Sequence, residues 1–364
     1  MPNLHITGGA RVAVELSNRL TERNHEIFIL IPGGRYKLPI STSAKVIECG
    51  FNVSNPLLAV LMGIPSMLYR IPEVDIIISC MPPYALVGCY LGNLHSILNI
   101  NYLLNDDVHF FDDGSFIRSR LLQHFYRFIA RLSVRSGVNF TNSHWTAVQA
   151  VSEGGNRPTA IIPQGYNPAI FYPLKTGIGE KSPITLVTVG RKARWKGFSD
   201  LINGLNLVDR KRYPFELKII SQEITDCSSA NFPISIHKPK NDVELADLYR
   251  SGQVYVHSSW FEGFGMPPLE AQACGLAVIS TDCGGIKEYL VDGKNALLVP
   301  PREPLTMARA VEKIINDREL LIRLSTKGLE TSMNFNFENV TDQFEAALSD
   351  LLEKFNRCQT LKYQ

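Results

Sequence analysis

Short apolar runs rich in Val, Ile and Leu recur along the whole chain, and stretches with helical spacing separate them. In the first half the runs are "EIFILI" (26–31), "AKVIEC" (44–49), "VDIIIS" (74–79), "INYLL" (100–104), "GVNFT" (137–141) and "TAIIP" (159–163). Helical spacing covers 10–23, 56–69, 84–97 and 115–136. The second half repeats the alternation with "ITLVTVG" (184–190), "FELKII" (215–220), "ISIHK" (234–238), "QVYVHS" (253–258), "LAVIST" (276–281) and "NALLVP" (295–300). It closes on helices, the last over roughly 337–357. Strands that are apolar throughout are buried on both faces, and their alternation with helices makes parallel sheets from βαβ units.

The pattern pauses at "PLKTGIGEKSP" (173–183), which has no periodicity and reads as a linker. The expected layout is therefore an N-terminal Rossmann-like domain over 1–172, a second over 184–336, and a helical tail, 337–364, crossing back to the first. Open sheets of this kind bind ligands in a cleft beyond the carboxyl ends of their strands.

Bulk properties narrow the field. A length of 364 residues suits two domains. A net charge of +2 offers no field for nucleic acid. The seven cysteines, at 49, 80, 89, 227, 274, 283 and 358, form no CxxC pair. They read as reduced thiols in a cytoplasmic protein, without a disulfide framework or zinc site. No apolar run reaches the roughly 18–20 residues of a membrane span, and "MPNLHITGGARVAVEL" lacks the order of a signal peptide.

The densest chemistry lies in "FEGFGMPPLEAQACG" (261–275), with Glu262 and Glu270 flanking two glycines and a proline pair. Pro267 and Pro268 suit the start of a helix and Gly275 its end, so a helix over about 268–274 is expected, with Glu270 in its first turn. Gly263 and Gly265 let bare backbone N–H groups approach an anion beside the positive helix end. Alone, Glu262 reads as a charge on a pliable loop and Glu270 as a dipole partner. Together they suit a nucleotide-sugar, with a diphosphate on the amides and ribose hydroxyls on a carboxylate. A second cluster, "VGRKARWKGF" (189–198), puts Arg191 and Lys196 on the loop after a strand, where cations suit a leaving diphosphate. Lys192 and Arg194 read as surface charges. Gly8 and Gly9, ahead of an amphipathic helix, offer another amide pocket.

These phrases resemble the retaining glycosyltransferases of GT-B architecture, glycosyltransferase family 4. The family's Glu, seven residues, Glu signature is closely similar to "EGFGMPPLEAQACG", and its Gly-Arg, four residues, Lys-Gly phrase to "GRKARWKG". The resemblance implies two Rossmann-like domains facing across a cleft. It assigns the diphosphate to Arg191 and Lys196, the transferred sugar to Glu262 and the donor ribose to Glu270. It also places the amides of Phe264, Gly265 and Met266 against sugar and diphosphate, and the Gly8–Gly9 loop over the donor. The family implies transfer of a hexose or deoxyhexose from a nucleoside diphosphate to a glycan or lipid-linked acceptor, with no cofactor and no metal.

Departures from the family are local. Where many relatives carry His, this chain reads "YLLNDDVHFFDDG" (102–114), so Asn105 replaces it and Asp106 takes over sugar or acceptor positioning. His109 reads as a structural residue. Ser221 and Gln222 replace glycines after a strand, which affects the nucleotide pocket. The segment 115–137 spaces Arg120, His124, Arg127, Arg131 and Arg135 at helical steps, with Phe125, Phe128, Ile129 and Leu132 on other faces. Such a helix can rest on the cytoplasmic face of a membrane or simply carry a solvated basic face. Two rival functions are weighed: a silent nucleotide-sugar-binding partner, which Asn105 and the short N-terminus favour, and a nucleotide-sugar epimerase of the same architecture, against which the "EGFG…PLE" phrase speaks. Finally, "MPNLHIT" holds no strand-like run ahead of Gly8, so most of the first strand is expected to be missing and the chain to be poorly soluble or weakly active.

Overall fold

The computed structural model describes residues 8–32, 41–50, 56–109, 119–174, 183–223 and 226–362. Residues 1–7, where the first strand was sought, and most of the expected linker lie outside the described residues. The chain divides into two compact units, Met1–Gln164 with Phe337–Gln364, and Gly165–Asn336.

Unit 1 opens with α1 (Gly8–Glu22), β1 (Phe28–Pro32), β2 (Lys45–Cys49), α2 (Pro56–Arg70), β3 (Ile76–Ser79) and α3 (Pro82–His95). It continues through β4 (Leu98–Leu103), α4 (Arg120–Arg135), β5 (Val138–Thr141), α5 (His144–Ser152) and β6 (Ala160–Ile161). β1 and β2 pair in parallel with each other, while β3, β4, β5 and β6 form a separate parallel sheet in that order. Every residue of β4 is buried although two are asparagines. Asn101 is accommodated because its Nδ2 donates to Ser133 O at 3.0 Å and Ser136 O at 2.6 Å, tying the strand to the end of α4.

Unit 2 runs β7 (Ile184–Val189), α6 (Phe198–Asn206), β8 (Phe215–Ile220), β9 (Ile234–His237), α7 (Asp242–Arg250), β10 (Val254–His257) and α8 (Met266–Ala273). β11 (Ala277–Thr281), β12 (Leu297–Val299), α9 (Pro304–Asn316) and α10 (Arg318–Ser332) complete it. The chain then returns to unit 1 as α11 (Phe337–Lys362). There Val340 and Phe344 join Val12, Leu16 and Leu20 of α1 in one core cluster. Arg23, in the turn that follows α1, also holds Asp342 at 2.7 Å and Glu345 at 2.8 Å on α11.

The six strands of unit 2 are all parallel, in the order β12-β11-β10-β7-β8-β9. Alternate residues feed two cores. Leu186, Val254, Val256 and Ile279 pack against α6, α9 and α10, whereas Val187, Tyr255 and Val278 pack with residues of α7 and α8. Burial of each such side chain is worth about 1.5–3 kcal/mol, which is why these strands read as uninterrupted apolar runs. The chain leaves β7 toward β8 on one side and later returns to pair β10 on the other. That reversal is the topological switch point, where parallel sheets open a crevice at their carboxyl edge.

Candidate functional site

The loops after β7 and β10 meet at this switch point in three rungs. The Arg194 guanidinium lies 5.6 Å from the Trp260 ring centre, Trp195 stacks on Phe261 at 4.7 Å, and Lys196 Nζ reaches Glu262 Oε1 at 2.7 Å. A backbone bond from Trp260 N to Trp195 O, 2.7 Å, holds the rungs in register. Gly197 makes the approach possible, because a Cβ there would sit 1.9 Å from Ser258 O and its φ is +63°. The short 3-10 turn Arg194–Lys196, ended by that glycine, was not foreseen from sequence.

Glu262 is 6% exposed, so the loop carrying it is pinned and not pliable. Its Oε1 accepts from Lys196 Nζ at 2.7 Å and from Ser259 Oγ at 2.6 Å. His257 Nε2 stands 3.3 Å from the same oxygen, long and poorly aligned for a hydrogen bond but close enough to attract when protonated. Gly285 N donates to Glu262 O at 2.8 Å and fixes the backbone. Burial pushes the Glu262 carboxyl up, yet the Lys196 charge and the His257 contact outweigh it and hold the group well below the ordinary 4.5.

Glu270 is held differently. It is 3% exposed, and the buried Tyr249 hydroxyl donates to its Oε2 at 3.1 Å. The expected position in the first turn of its helix is corrected: α8 begins at Met266, which makes Glu270 the fifth helical residue. The cause is Gly265, whose φ of +88° turns the chain into the helix two residues early. A Cβ at Gly265 would also lie 2.7 Å from Ile286 Cγ2, and the Tyr289 hydroxyl donates to Gly265 O. Because Pro267 and Pro268 have no N–H, only Met266 and Leu269 among the first four helical residues can present one. Phe264 is buried beside Tyr289, with ring centres 5.3 Å apart. Arg191 is half-buried. Fully buried Tyr255 links the set: its hydroxyl is pushed well above its ordinary range by burial and then by Glu262, and the charges of Glu270 and Arg191 reach it too.

The structure thus gathers Arg191, Lys196, Glu262, Phe264, Gly265, Met266 and Glu270 in unit 2. Sequence reasoning missed His257, Ser259, Tyr249 and the Trp195–Phe261 stack. A histidine ending a strand just before the glutamate loop was the available signal for the first of these.

In unit 1, Gly8 and Gly9 do not precede α1 but form its first residues, and a Cβ on Gly9 would touch Leu104 Cδ1 at 3.0 Å. The helix start therefore abuts the loop after β4. There Asp106 is 9% exposed and accepts from His109 N at 3.2 Å and from His109 Nδ1 at 2.9 Å. His109 Nε2 lies 3.4 Å from Glu153, which also receives Arg131 Nε at 2.6 Å. Burial and the Asp106 charge push neighbouring Asp107 up to about 8. Ser221 Oγ donates to Glu223 O at 2.9 Å. Among the described residues, no group of three His, Cys, Asp or Glu side chains could hold a metal ion, and no helix is long and apolar enough to cross a membrane.

Comparison with known proteins places this geometry. Over 93% of the chain and 92% of the other, the structure is similar to sucrose-phosphate synthase from Thermosynechococcus elongatus, with a TM-score of 0.77 at 17% identity. It is also similar to Anabaena HepE in complex with UDP-glucose, with a TM-score of 0.72 at 16% identity over 95% and 96% of the two chains. The fold is that of the GT-B glycosyltransferases, built from two Rossmann-like units. Residues 174–331, nearly all of unit 2, match the family Glycosyl transferases group 1. D-inositol 3-phosphate glycosyltransferase from Stackebrandtia nassauensis is 30% identical over 121 residues, 33% of this chain and 27% of the relative. The chain spans only about a quarter to a third of the length of such relatives, 27%, 28% and 34% for three of them.

Proposed function

We propose that the protein transfers a sugar from a nucleoside diphosphate sugar to a glycan or lipid-linked acceptor, as a retaining, metal-independent enzyme. The transferred group is a hexose or deoxyhexose. The observation that carries the reading is the pair of half-buried Lys196 with buried Glu262 at the switch point, with Arg191 and Glu270 in the same neighbourhood. A diphosphate arriving at the loop after β7 competes with Glu262 for Lys196, and Arg191 adds a second cation. Glu270 accepts from ribose hydroxyls. Glu262 is anionic and meets Lys196, Ser259 and His257 through Oε1, and its Oε2 is assigned to the transferred sugar.

In the reaction the bond from the sugar's anomeric carbon to the diphosphate oxygen breaks, and its electron pair stays on the diphosphate. The acceptor oxygen bonds to the same carbon on the same face. Its proton passes to the departing diphosphate, so no separate general base is required. Lys196 and Arg191 stabilise the charge that grows on the leaving group. In unit 1, Asp106 positions sugar or acceptor, and the Gly8–Gly9 helix start offers amides to the donor.

Membrane contact belongs to the same reading. α4 leaves Leu121, Phe125 and Phe128 exposed at 79%, 58% and 57%, on a helix that also carries five basic side chains between Arg120 and Arg135. An exposed apolar stripe bordered by cations suits an anionic leaflet.

Incubating the protein with a panel of UDP-, GDP- and dTDP-sugars and measuring nucleoside diphosphate release tests the proposal. Release dependent on one donor and on an added acceptor supports it. Tight donor binding with no turnover against any acceptor would mark a silent binding partner. Interconversion of the donor without transfer would mark an epimerase.

A further inference from the structure

The rung between Arg194 and Trp260 faces a cleft that the donor-site residues do not line. Its volume is about 440 Å³, and Arg194, Asp200, Trp260 and Arg302 line it. These residues come from the loop after β7, the start of α6, the loop after β10 and the turn after β12, so the cleft lies at the carboxyl edge of the unit 2 sheet. The Arg302 guanidinium lies over the Trp260 ring at 3.9 Å, and the Trp260 indole donates to Asp200 Oδ2 at 2.7 Å. Asp200 thereby fixes the ring, and the ring fixes Arg302.

Two details indicate that Arg302 is presented for binding. A guanidinium lying over an indole ring can still offer N–H groups to a planar or tetrahedral oxyanion. Its backbone also adopts φ +63°, a region that an arginine enters only at a cost. With two guanidinium groups and one carboxylate, the lining carries an excess of one positive charge. We propose that this cleft binds an oxyanion, a phosphate or a carboxylate carried on a sugar. The inference does not depend on the transfer reaction, since neither Lys196 nor Glu262 lines the cleft.

Ligand-detected NMR on the full chain tests it, with inorganic phosphate and glucuronate as probes and glucose as the neutral control. At least one anion is expected to bind and glucose is not, and the preferred anion tells a phosphate site from a carboxylate site. Arg302→Gly should weaken that binding about tenfold, the loss of one charge-assisted contact. Glycine accepts a positive φ, so this variant should melt no lower than the parent and folding does not confuse the result. Arg194→Gln should weaken binding similarly. Because phosphate can also visit Lys196, the comparison is repeated in Lys196→Ala, where the cleft should still bind and Lys196→Ala/Arg302→Gly should not. Binding unchanged by Arg302→Gly in the Lys196→Ala background, binding abolished by Lys196→Ala alone, or no binding of either anion overturns the inference.

Discussion

The loop after β10 and the loop after β4 both place a buried carboxylate just beyond a parallel strand, yet they hold it by opposite means. Glu262 is gripped by Lys196, a cation from a different loop, 66 positions away in sequence. Asp106 is gripped by His109 of its own loop, three positions away, through both the ring and the backbone N–H. A partner from another element can be drawn off by a ligand without unfolding the loop that carries the acid. A partner within the same turn cannot, because the bond is part of the turn. The first arrangement suits chemistry at the carboxylate, and the second suits a group whose use lies in its fixed position.

The largest expected effect breaks the first arrangement. Glu262→Ala should lower kcat by about 10²–10³-fold, the range for losing one preorganised electrostatic group. Binding of free nucleoside diphosphate should be nearly unchanged, because Glu262 is assigned to the sugar. Calorimetry and turnover measured side by side check this split, and weakened diphosphate binding with intact kcat would reverse the assignment. The same variant removes one member of a buried pair, so a loss of about 2–3 kcal/mol in stability is expected, with Lys196 partly relieved by its solvent contact.

Next in size is the partner. Lys196→Ala should reduce kcat/KM for the donor by about one to two decades, the worth of a charge-assisted hydrogen bond. Lys192→Ala should do little, since that side chain is exposed and its backbone N–H is already bound to Glu223 at 2.7 Å. Equal effects from the two lysines would remove the reason for singling out the rung. Glu270→Ala should weaken nucleoside diphosphate binding about tenfold while Tyr249→Phe, which spares the carboxylate, changes it less.

The two loops also differ in how much of them was legible beforehand. The strands feeding both were readable, β10 as the apolar run "VYVH" and β4 through "INYLL", because strands buried on both faces are largely apolar. Glu262 and Lys196 were readable from glycine and proline spacing and from the family resemblance. Their pairing was not, because nothing local encodes a contact between loops that follow different strands. His257 and Ser259 were missed for a related reason. Within "QVYVHSSW" they look like the polar end of a strand, and only the approach permitted at Gly197 turns them toward the acid. The early start of α8 was hidden by its prolines, which mark a helix start without fixing which residue comes first. In unit 1 the loop after β4 offered acidic residues without glycine punctuation, so the bond from Asp106 to His109 had no sequence signal beyond proximity.

A smaller effect probes the second arrangement. Asp106→Asn keeps an acceptor for the His109 backbone N–H, so the turn should persist with a loss of about 1 kcal/mol. Asp106→Ala abandons the backbone bond and should cost more. If Asp106 acts by position, acceptor kcat/KM should follow the same order, with Asn retaining most of the activity that Ala loses. Equal losses from Asn and Ala would mean that the charge itself is used, as at Glu262, and the contrast between the loops would fail.

The smallest expected effect concerns pH, where the two loops should respond with opposite sign. Glu262 has a depressed folded value, so its contribution to stability is complete above about 4.5 and is lost as pH falls through the lowered value. Asp107, next to Asp106, has a raised one, driven first by burial and then by the Asp106 charge. The Asp107 charge in turn reaches Cys80 and Tyr126, whose own groups are pushed upward first by burial and then by that charge. The folded state therefore holds the Asp107 proton between the ordinary 3.8 and about 8, while an unfolded chain releases it. Stability should decline as pH rises across that window and level off above it. Asp107 keeps some contact with solvent, which trims the change to about 1 kcal/mol, or about 2–4 °C in Tm. Asp107→Asn removes the titration, so its Tm should gain on the parent from pH 5 to about pH 8 and hold that gain to pH 9. A gain that stays constant across that range would show that Asp107 is already ionised in the folded protein, and that the loop after β4 tolerates two adjacent charges.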